Sequence, residues 1–291
     1  MLTPDQVASY QTNGYITVPG IIGASQIAEL CRVTDEFVEK SRQVTEHTAD
    51  YDLEPGHTPE TPQLRRLKHP EELHPAYDRV FRDERILDMV AQLVGSDVRH
   101  FGGKLNMKSA GFGSPVEWHQ DHAFGPTRSN DDILAVGLAI DPMSLKNGCM
   151  TVVPGSHKGP IFDHYQDDIF VGAVTKPDFK PEPVVPLLLE AGDISIHHGR
   201  LLHASAPNRT PDRPRRFYLS QYCAADCWPQ PLTPEELELF KTQMLRGTLP
   251  EAPRFAADIP EIPRPAQPRA GRGGSIYEQQ THLRQRLFEE A

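Results

Sequence analysis

Between residues 97 and 224 the chain reads as eight short β segments divided by turn chemistry, and few folds can use such a pattern. The segments are 98–108, 115–121, 132–141, 149–153, 184–189, 194–198, 201–205 and 215–224. Asn147-Gly148, Pro154-Gly155, Ala191-Gly192-Asp193 and Pro207-Asn208 supply turns between them, since these residue types accept the tight backbone that a strand cannot continue through. Many short strands in succession predict a mainly β chain with flanking helices, arranged as a double-sheet jelly roll. Another β-sandwich is the runner-up.

The flanks are helical. Thr3-Pro4-Asp5 has the composition of a helix start and Gly14 of a stop, and Tyr15 to Pro19 reads as a strand. A helix over about 25–40 buries Ile27, Leu30, Val33, Phe37 and Val38, and another over 85–95 carries Ile86, Leu87, Met89, Val90, Leu93 and Val94. Residues 46–74, rich in Pro, Thr and charge, read as a loop. Residues 1–228 then make one domain, with N-terminal helices over 1–96 that buttress one sheet and a core over 97–228. Residues 229–291 form a Pro-rich strap and terminal helix packed on or beside that core. Thr233 and Glu236 predict a helix to about 245. Ser275 and Glu278 predict a last one to about 290, with Leu283, Leu287 and Phe288 as its apolar stripe.

Composition removes several function classes. A formal charge of −10 argues against nucleic acid or an anionic membrane as partner, because both need a basic footprint. No N-terminal leader pattern and no apolar run of membrane length is present. Cys31, Cys149, Cys223 and Cys227 are too few and scattered for a disulfide framework, so ordinary thiols in a reducing, cytoplasmic setting are expected. Oligomeric state is not legible.

The chemistry centres on Trp118-His119-Gln120-Asp121. Side chains two apart on an extended backbone share a side, so His119 and Asp121 can chelate one cation while Gln120 points away. An imidazole and a carboxylate are two thirds of the facial triad that holds non-haem Fe(II) with open positions. A lone H-x-D is a weak signal; a later His must complete it. His197 and His198 flank an expected turn at Gly199, where histidines are commonly just solvated. His203 sits between Leu201-Leu202 and the small Ala204-Ser205, which leave room beside a ligand. His203 ranks first and His198 second.

Pro214-Arg215-Arg216 opens the next strand, and an arginine there can grip a carboxylate by a charge-assisted fork. Alternation places Arg215 with the inward set Phe217, Leu219 and Cys223, and a charge heading an apolar face needs a bound partner. The bland reading puts both arginines at the surface. Lys104, Asn106 and Lys108 likewise share one face of a strand, either facing solvent or lining the pocket with Asn106 on a co-substrate. His122, Phe124 and Arg128 follow the motif closely enough to line the substrate side.

Together these residues resemble the phytanoyl-CoA dioxygenase family of Fe(II)/2-oxoglutarate oxygenases. The resemblance runs through Gly14-Tyr15, WHQD at 118–121, NGC at 147–149, VPGSHKGP at 153–160, Ala191-Gly192-Asp193, LLHASAPN at 201–208 and Arg215, in that order. It implies a double-stranded β-helix with Fe(II) on His119, Asp121 and His203. It also implies 2-oxoglutarate chelating the metal, its far carboxylate on Arg215 with Ser205 assisting. Asn106 and Ser205 are similar to co-substrate contacts of ectoine hydroxylase, a relative. With O2, 2-oxoglutarate would be split to succinate and CO2 while an unactivated C–H of a small molecule is oxidised. The retained Asp121 favours hydroxylation, or desaturation or ring formation, over halogenation. The substrate stays open among acyl thioesters, amino acids or osmolytes, phosphonates and natural-product scaffolds, with the acidic charge mildly disfavouring a CoA thioester. Two other classes predict different behaviour: a zinc hydrolase on the same three residues, and a non-catalytic jelly-roll binding module.

Overall fold

The computed structural model describes residues 1–257, 261–263 and 275–288. In chain order the elements begin with α1 (Pro4–Asn13), β1 (Tyr15–Val18), α2 (Ala24–Lys40), β2 (Tyr51–Leu53), β3 (Leu64–Lys68), α3 (Pro70–Leu73), α4 (Pro75–Phe81) and α5 (Glu84–Val94). The core follows with β4 (Val98–Lys108), β5 (Val116–His119), β6 (Ile133–Ala139), β7 (Met150–Val152), β8 (Tyr165–Gln166), β9 (Ile169–Phe170), β10 (Val185–Pro186), β11 (Ile194–His198), β12 (His203–Ser205) and β13 (Arg215–Ala224). Last come α6 (Pro234–Thr242), β14 (Met244–Arg246) and α7 (Ile276–Gln280).

Most strands form two facing antiparallel sheets, and β8 pairs with β9 as a separate hairpin. The large one runs β1-β11-β6-β13-β4-β3-β2 with β14 also on β4, and the small one β10-β7-β12-β5. This is the jelly roll expected from the strand pattern, with the N-terminal helices on one side and α7 against β5. The outer face of the large sheet is sealed by helices: Tyr77 of α4 packs edge-on to Tyr218 at 5.0 Å, and Phe81 stacks on Tyr222 at 5.1 Å. Both tyrosine hydroxyls find acceptors, Glu71 Oε2 at 3.2 Å and the Phe81 carbonyl at 2.9 Å, so their burial leaves no orphan. A second apolar cluster fills the space between the sheets, with Ala135, Phe217 and Leu219 against Met150, Val152 and Leu201. Gly137 is what admits the Phe217 ring: a Cβ there would lie 2.1 Å from its Cζ.

The N-terminal reading holds closely. Thr3 and Gln6 cap each other's backbone N–H groups, and Gly14 closes α1 at φ 79°. Residues 46–74 differ from the expected loop, because β2, β3 and α3 lie within them. β3 reads Leu-Arg-Arg-Leu-Lys, and its charges hid it: Arg66 and Lys68 pair in register with Asn106 and Lys104 on the pocket face rather than facing water. The helix expected from 233 ends at Thr242. The final helix spans only Ile276–Gln280; of its expected stripe, Phe288 packs by the Trp118 cluster while Leu287 stays exposed, and 289–290 lie outside the described residues. The described parts of 250–263 contain no helix or strand; 258–260 and 264–274 lie outside the described residues. Among the described residues no helix is long and apolar enough to cross a membrane.

Arg216 faces the helices. It makes a two-pronged pair with Asp141, Nε to Oδ2 at 2.9 Å and a terminal nitrogen to Oδ1 at 2.7 Å, and reaches Asp35 at 3.1 Å. Burial works against its charge, but the bonds to Asp141 outweigh it and raise its pKa. Arg216→Ala would strand a mostly buried carboxylate, so unfolding by urea should show a loss of about 3 kcal/mol. An unchanged midpoint would mean the pair contributes nothing.

Candidate metal centre and its pocket

His119 ends β5 and His203 begins β12, and the two are partners in register on adjacent strands. Asp121 lies one residue beyond the extended Gln120, at the start of a 3-10 turn over Asp121–Phe124. The two-residue spacing therefore works across a strand end rather than along one strand. Gln120 points away, as expected: its amide donates to the carbonyls of Pro160 and Arg200 and accepts from the Phe162 N–H.

Both histidines have their tautomer fixed by the same device. His119 Nδ1 donates to the Glu117 carbonyl at 2.8 Å and His203 Nδ1 to the Leu201 carbonyl at 2.9 Å. That leaves each Nε2 with a lone pair aimed inward. The Nε2 atoms lie 3.8 and 4.0 Å from Asp121 Oδ1, and the rings 4.0 Å apart. One ligand atom from each of the three residues falls within 4.8 Å of the others. Two atoms bound to one ion at about 2.0–2.2 Å each can stand up to about 4.4 Å apart, so both measured separations allow a shared ion. Burial keeps both imidazoles neutral, the form that ligates; His203 is lowered to about 4. Burial alone would raise the Asp121 carboxyl, but Lys104 at 3.5 Å and the surrounding histidines hold it well below the usual carboxylate range. The donor set thus fits a divalent transition metal.

His197 and His198 are neither solvated nor in a turn; they end β11 and are largely shielded from water. His198 turns to Asp131, 3.8 Å away, outside the cluster. His197 was missed as a site residue: its Nε2 is 3.7 Å from Asp121 Oδ2, and neither ring nitrogen has a hydrogen-bond partner. Alternation from Ile194 and Ile196, which pack toward the helices, puts His197 on the opposite, inner face. Gln221 was also missed. Its amide donates to Asp121 Oδ2 at 3.3 Å, and alternation from Arg215 through Phe217 and Leu219 puts it on the same inner face, ahead of the bulge between Gln221 and Tyr222. Cys223, expected in the inward set, packs with the helix-side core beyond the bulge.

Arg215 opens β13 opposite Lys108, buried, with Nε lacking a partner. Lys108 is sealed in and donates to the carbonyls of Ser114, Ser205 and Ala206, tying the large sheet to the strand that bears Ser205 and His203. Asn106 accepts from Arg66 Nε at 3.2 Å on the same inner face. Lys104, Asn106 and Lys108 therefore face the interior between the sheets, not solvent.

A cavity of about 400 Å3 reaches Asp121. Arg66, Lys68, Lys104 and Arg128 line it; Asp52, behind the wall, pairs with Arg66 at 3.8 Å and Lys68 at 3.1 Å, and Asp121 with Lys104 at 3.5 Å. His122 and Phe124 line it too; burial lowers the His122 imidazole to about 4, and the Phe124 ring stands edge-on to His119 at 5.7 Å. Arg128 lies over the Phe101 ring at 4.5 Å, and among the described residues no carboxylate forms an ion pair with it.

Comparison with known proteins follows the same lines. A family model described as phytanoyl-CoA dioxygenase (PhyH) matches residues 10–217. A protein of Stutzerimonas stutzeri named probable alpha-ketoglutarate-dependent hypophosphite dioxygenase is 32% identical over 290 residues, covering 98% of this chain and 99% of that one. Ectoine dioxygenase of Bordetella bronchiseptica is 27% identical over 213 residues, 68% of this chain and 65% of that one. Among solved structures, the epimerase SnoN in complex with Fe3+, alpha-ketoglutarate and nogalamycin RO superposes with a TM-score of 0.62 at 25% identity, over 87% of this chain and 95% of that one. EctD from S. alaskensis shares the fold, with a TM-score of 0.66 at 20% identity over 88% and 87%.

Proposed function

From the premise that this chain belongs to the phytanoyl-CoA dioxygenase family, we propose that it oxidises a small phosphorus oxyanion of the hypophosphite class on a metal held by His119, Asp121 and His203. It is a 2-oxoglutarate-dependent non-haem iron dioxygenase acting on a small molecule. The hydrolase and binding-module readings find no support among its relatives. We read residues 1–228 as the oxygenase unit and 229–291 as its strap. The four unpaired thiols support a cytoplasmic setting.

The observation that carries the substrate reading is Arg128 in the cavity at Asp121: Arg66, Lys68 and Lys104 have Asp52 or Asp121 as partners, and among the described residues no carboxylate pairs with Arg128. A half-buried guanidinium with no counter-charge can grip an anionic substrate by charge-assisted hydrogen bonds. Fe(II), when bound, supplies the site at which O2 and 2-oxoglutarate react. The chain's own residues do the rest. Arg215, Ser205 and Asn106 seat the co-substrate; Lys104, Gln221 and His197 fix the Asp121 carboxylate; Arg128, His122 and Phe124 place the substrate. For hypophosphite the balance is simple. One oxygen atom of O2 enters a P–H bond to give phosphite, and the other enters succinate as CO2 leaves.

Arg128→Ala should raise the KM for hypophosphite at least tenfold while the affinity for 2-oxoglutarate stays the same, as read by succinate release and by anaerobic titration. Hypophosphite-independent succinate release from the unaltered protein, with ectoine or an acyl thioester stimulating it instead, would move the substrate to another class.

A further inference from the structure

The family model stops at residue 217, yet a segment far beyond it reaches the inner face of the large sheet. Residues 275–288 return to the core and are pinned beside the metal centre. The Gln280 side chain accepts from the Glu117 N–H and donates to the Gly172 carbonyl, each at 3.0 Å. The Glu117 carboxylate accepts from the N–H groups of Leu287 and Phe288 at 3.1 and 3.0 Å. Glu117 stands two residues before His119, so the strand that carries a metal ligand also carries the anchor.

That anchoring drives Tyr277 inward. It is 5% exposed, and its hydroxyl has no hydrogen-bond partner. The ring lies beneath two guanidinium groups, Arg65 at 4.4 Å and Arg66 at 5.4 Å. Arg65 is already committed to Glu54 and Ser114. Arg66 donates to Asn106, which lies two positions along β4 from Lys108, the register partner of Arg215. Tyr277 thus brings an orphaned hydroxyl to the arginines of β3, and Arg215 heads β13, two strands away across β4, with an orphaned Nε. Both are donors, and the chemical class that satisfies two converging donors is a carboxylate.

We propose that Tyr277 is a co-substrate-binding residue whose hydroxyl donates to the distal carboxylate of 2-oxoglutarate alongside Arg215. This rests on the reading of Arg215 as the seat of that carboxylate. The segment 275–288 is then part of the binding site rather than an outer strap.

The test is anaerobic titration of the Fe(II)-loaded full chain, followed by the visible charge-transfer band of the chelate. A hydrogen bond to a charged group is worth enough that Tyr277→Phe should weaken 2-oxoglutarate about tenfold or more. The same variant should bind 2-oxobutyrate, which chelates identically but has no distal carboxylate, like the unaltered protein. Its iron content and thermal midpoint should not move. Equal 2-oxoglutarate affinity in Tyr277→Phe, or equal weakening of both ligands, overturns the assignment. Arg215→Ala in parallel separates the two readings. If that variant also binds 2-oxoglutarate normally, the seat is elsewhere and Tyr277 falls with it. If it binds weakly while Tyr277→Phe does not, only Tyr277 is wrong.

Discussion

Asp121→Ala should leave a folded protein that retains no stoichiometric Fe(II) after anaerobic gel filtration, with turnover down by more than the roughly 100-fold that losing even an outer-shell partner can cost. Two histidines alone leave the ion without its only anionic protein ligand. The loss has a second part, because the carboxylate is held in place from several sides. Lys104 lies 3.5 Å from Oδ1, and Gln221 and His197 lie 3.3 and 3.7 Å from Oδ2. Removing Asp121 therefore leaves an ammonium facing an empty anion-sized space, which suits chloride. Stoichiometric iron and full turnover in this variant would sink the metal assignment. Circular dichroism of the same sample shows whether the fold survived, so a trivial loss is recognisable.

The second large effect is on the co-substrate. In Arg215→Ala, 2-oxoglutarate should bind about 100-fold more weakly, since a buried charge-assisted contact to a carboxylate is worth about 2–5 kcal/mol, while iron binding is retained. Its neighbour provides the contrast. Arg216 is spent on Asp141 and Asp35 on the helix side of the sheet, so Arg216→Ala should cost stability and leave co-substrate affinity alone. The opposite pattern would place the strand one residue out of phase.

Much of this centre could be read from local pattern. His119, Asp121, His203 and Arg215 stand at fixed offsets within short motifs, and alternation along β13 puts Arg215 inward without knowledge of the partner strands. The strands 98–108, 194–198 and 215–224 coincide with β4, β11 and β13 because turn residues bound them sharply. What escaped was whatever depends on long-range company. β3 looks like a solvated loop because Arg66 and Lys68 face a polar interior, so burial and apolarity part ways there. His197 resembles a turn residue until β6 and β1 are seen to pair on either side of it. Gln221 is in phase with Arg215 and so could have been placed inward, but nothing local says that its amide meets Asp121 from another strand. Tyr277 is the extreme case: a capping box announces its helix, but nothing local says that the helix ends up against Arg65 and Arg66.

The pinning of residues 275–288 beside His119 has a consequence in time as well as in space. The three candidate metal ligands and Arg215 are synthesised well before Ser275, which lies 72 positions after His203 (275 − 203 = 72). At about 5–20 residues per second, several seconds pass between the two. During that interval the strand that carries His119 lacks the bonds that Gln280, Leu287 and Phe288 make to Glu117, so the docking of this segment is the last step in completing that wall.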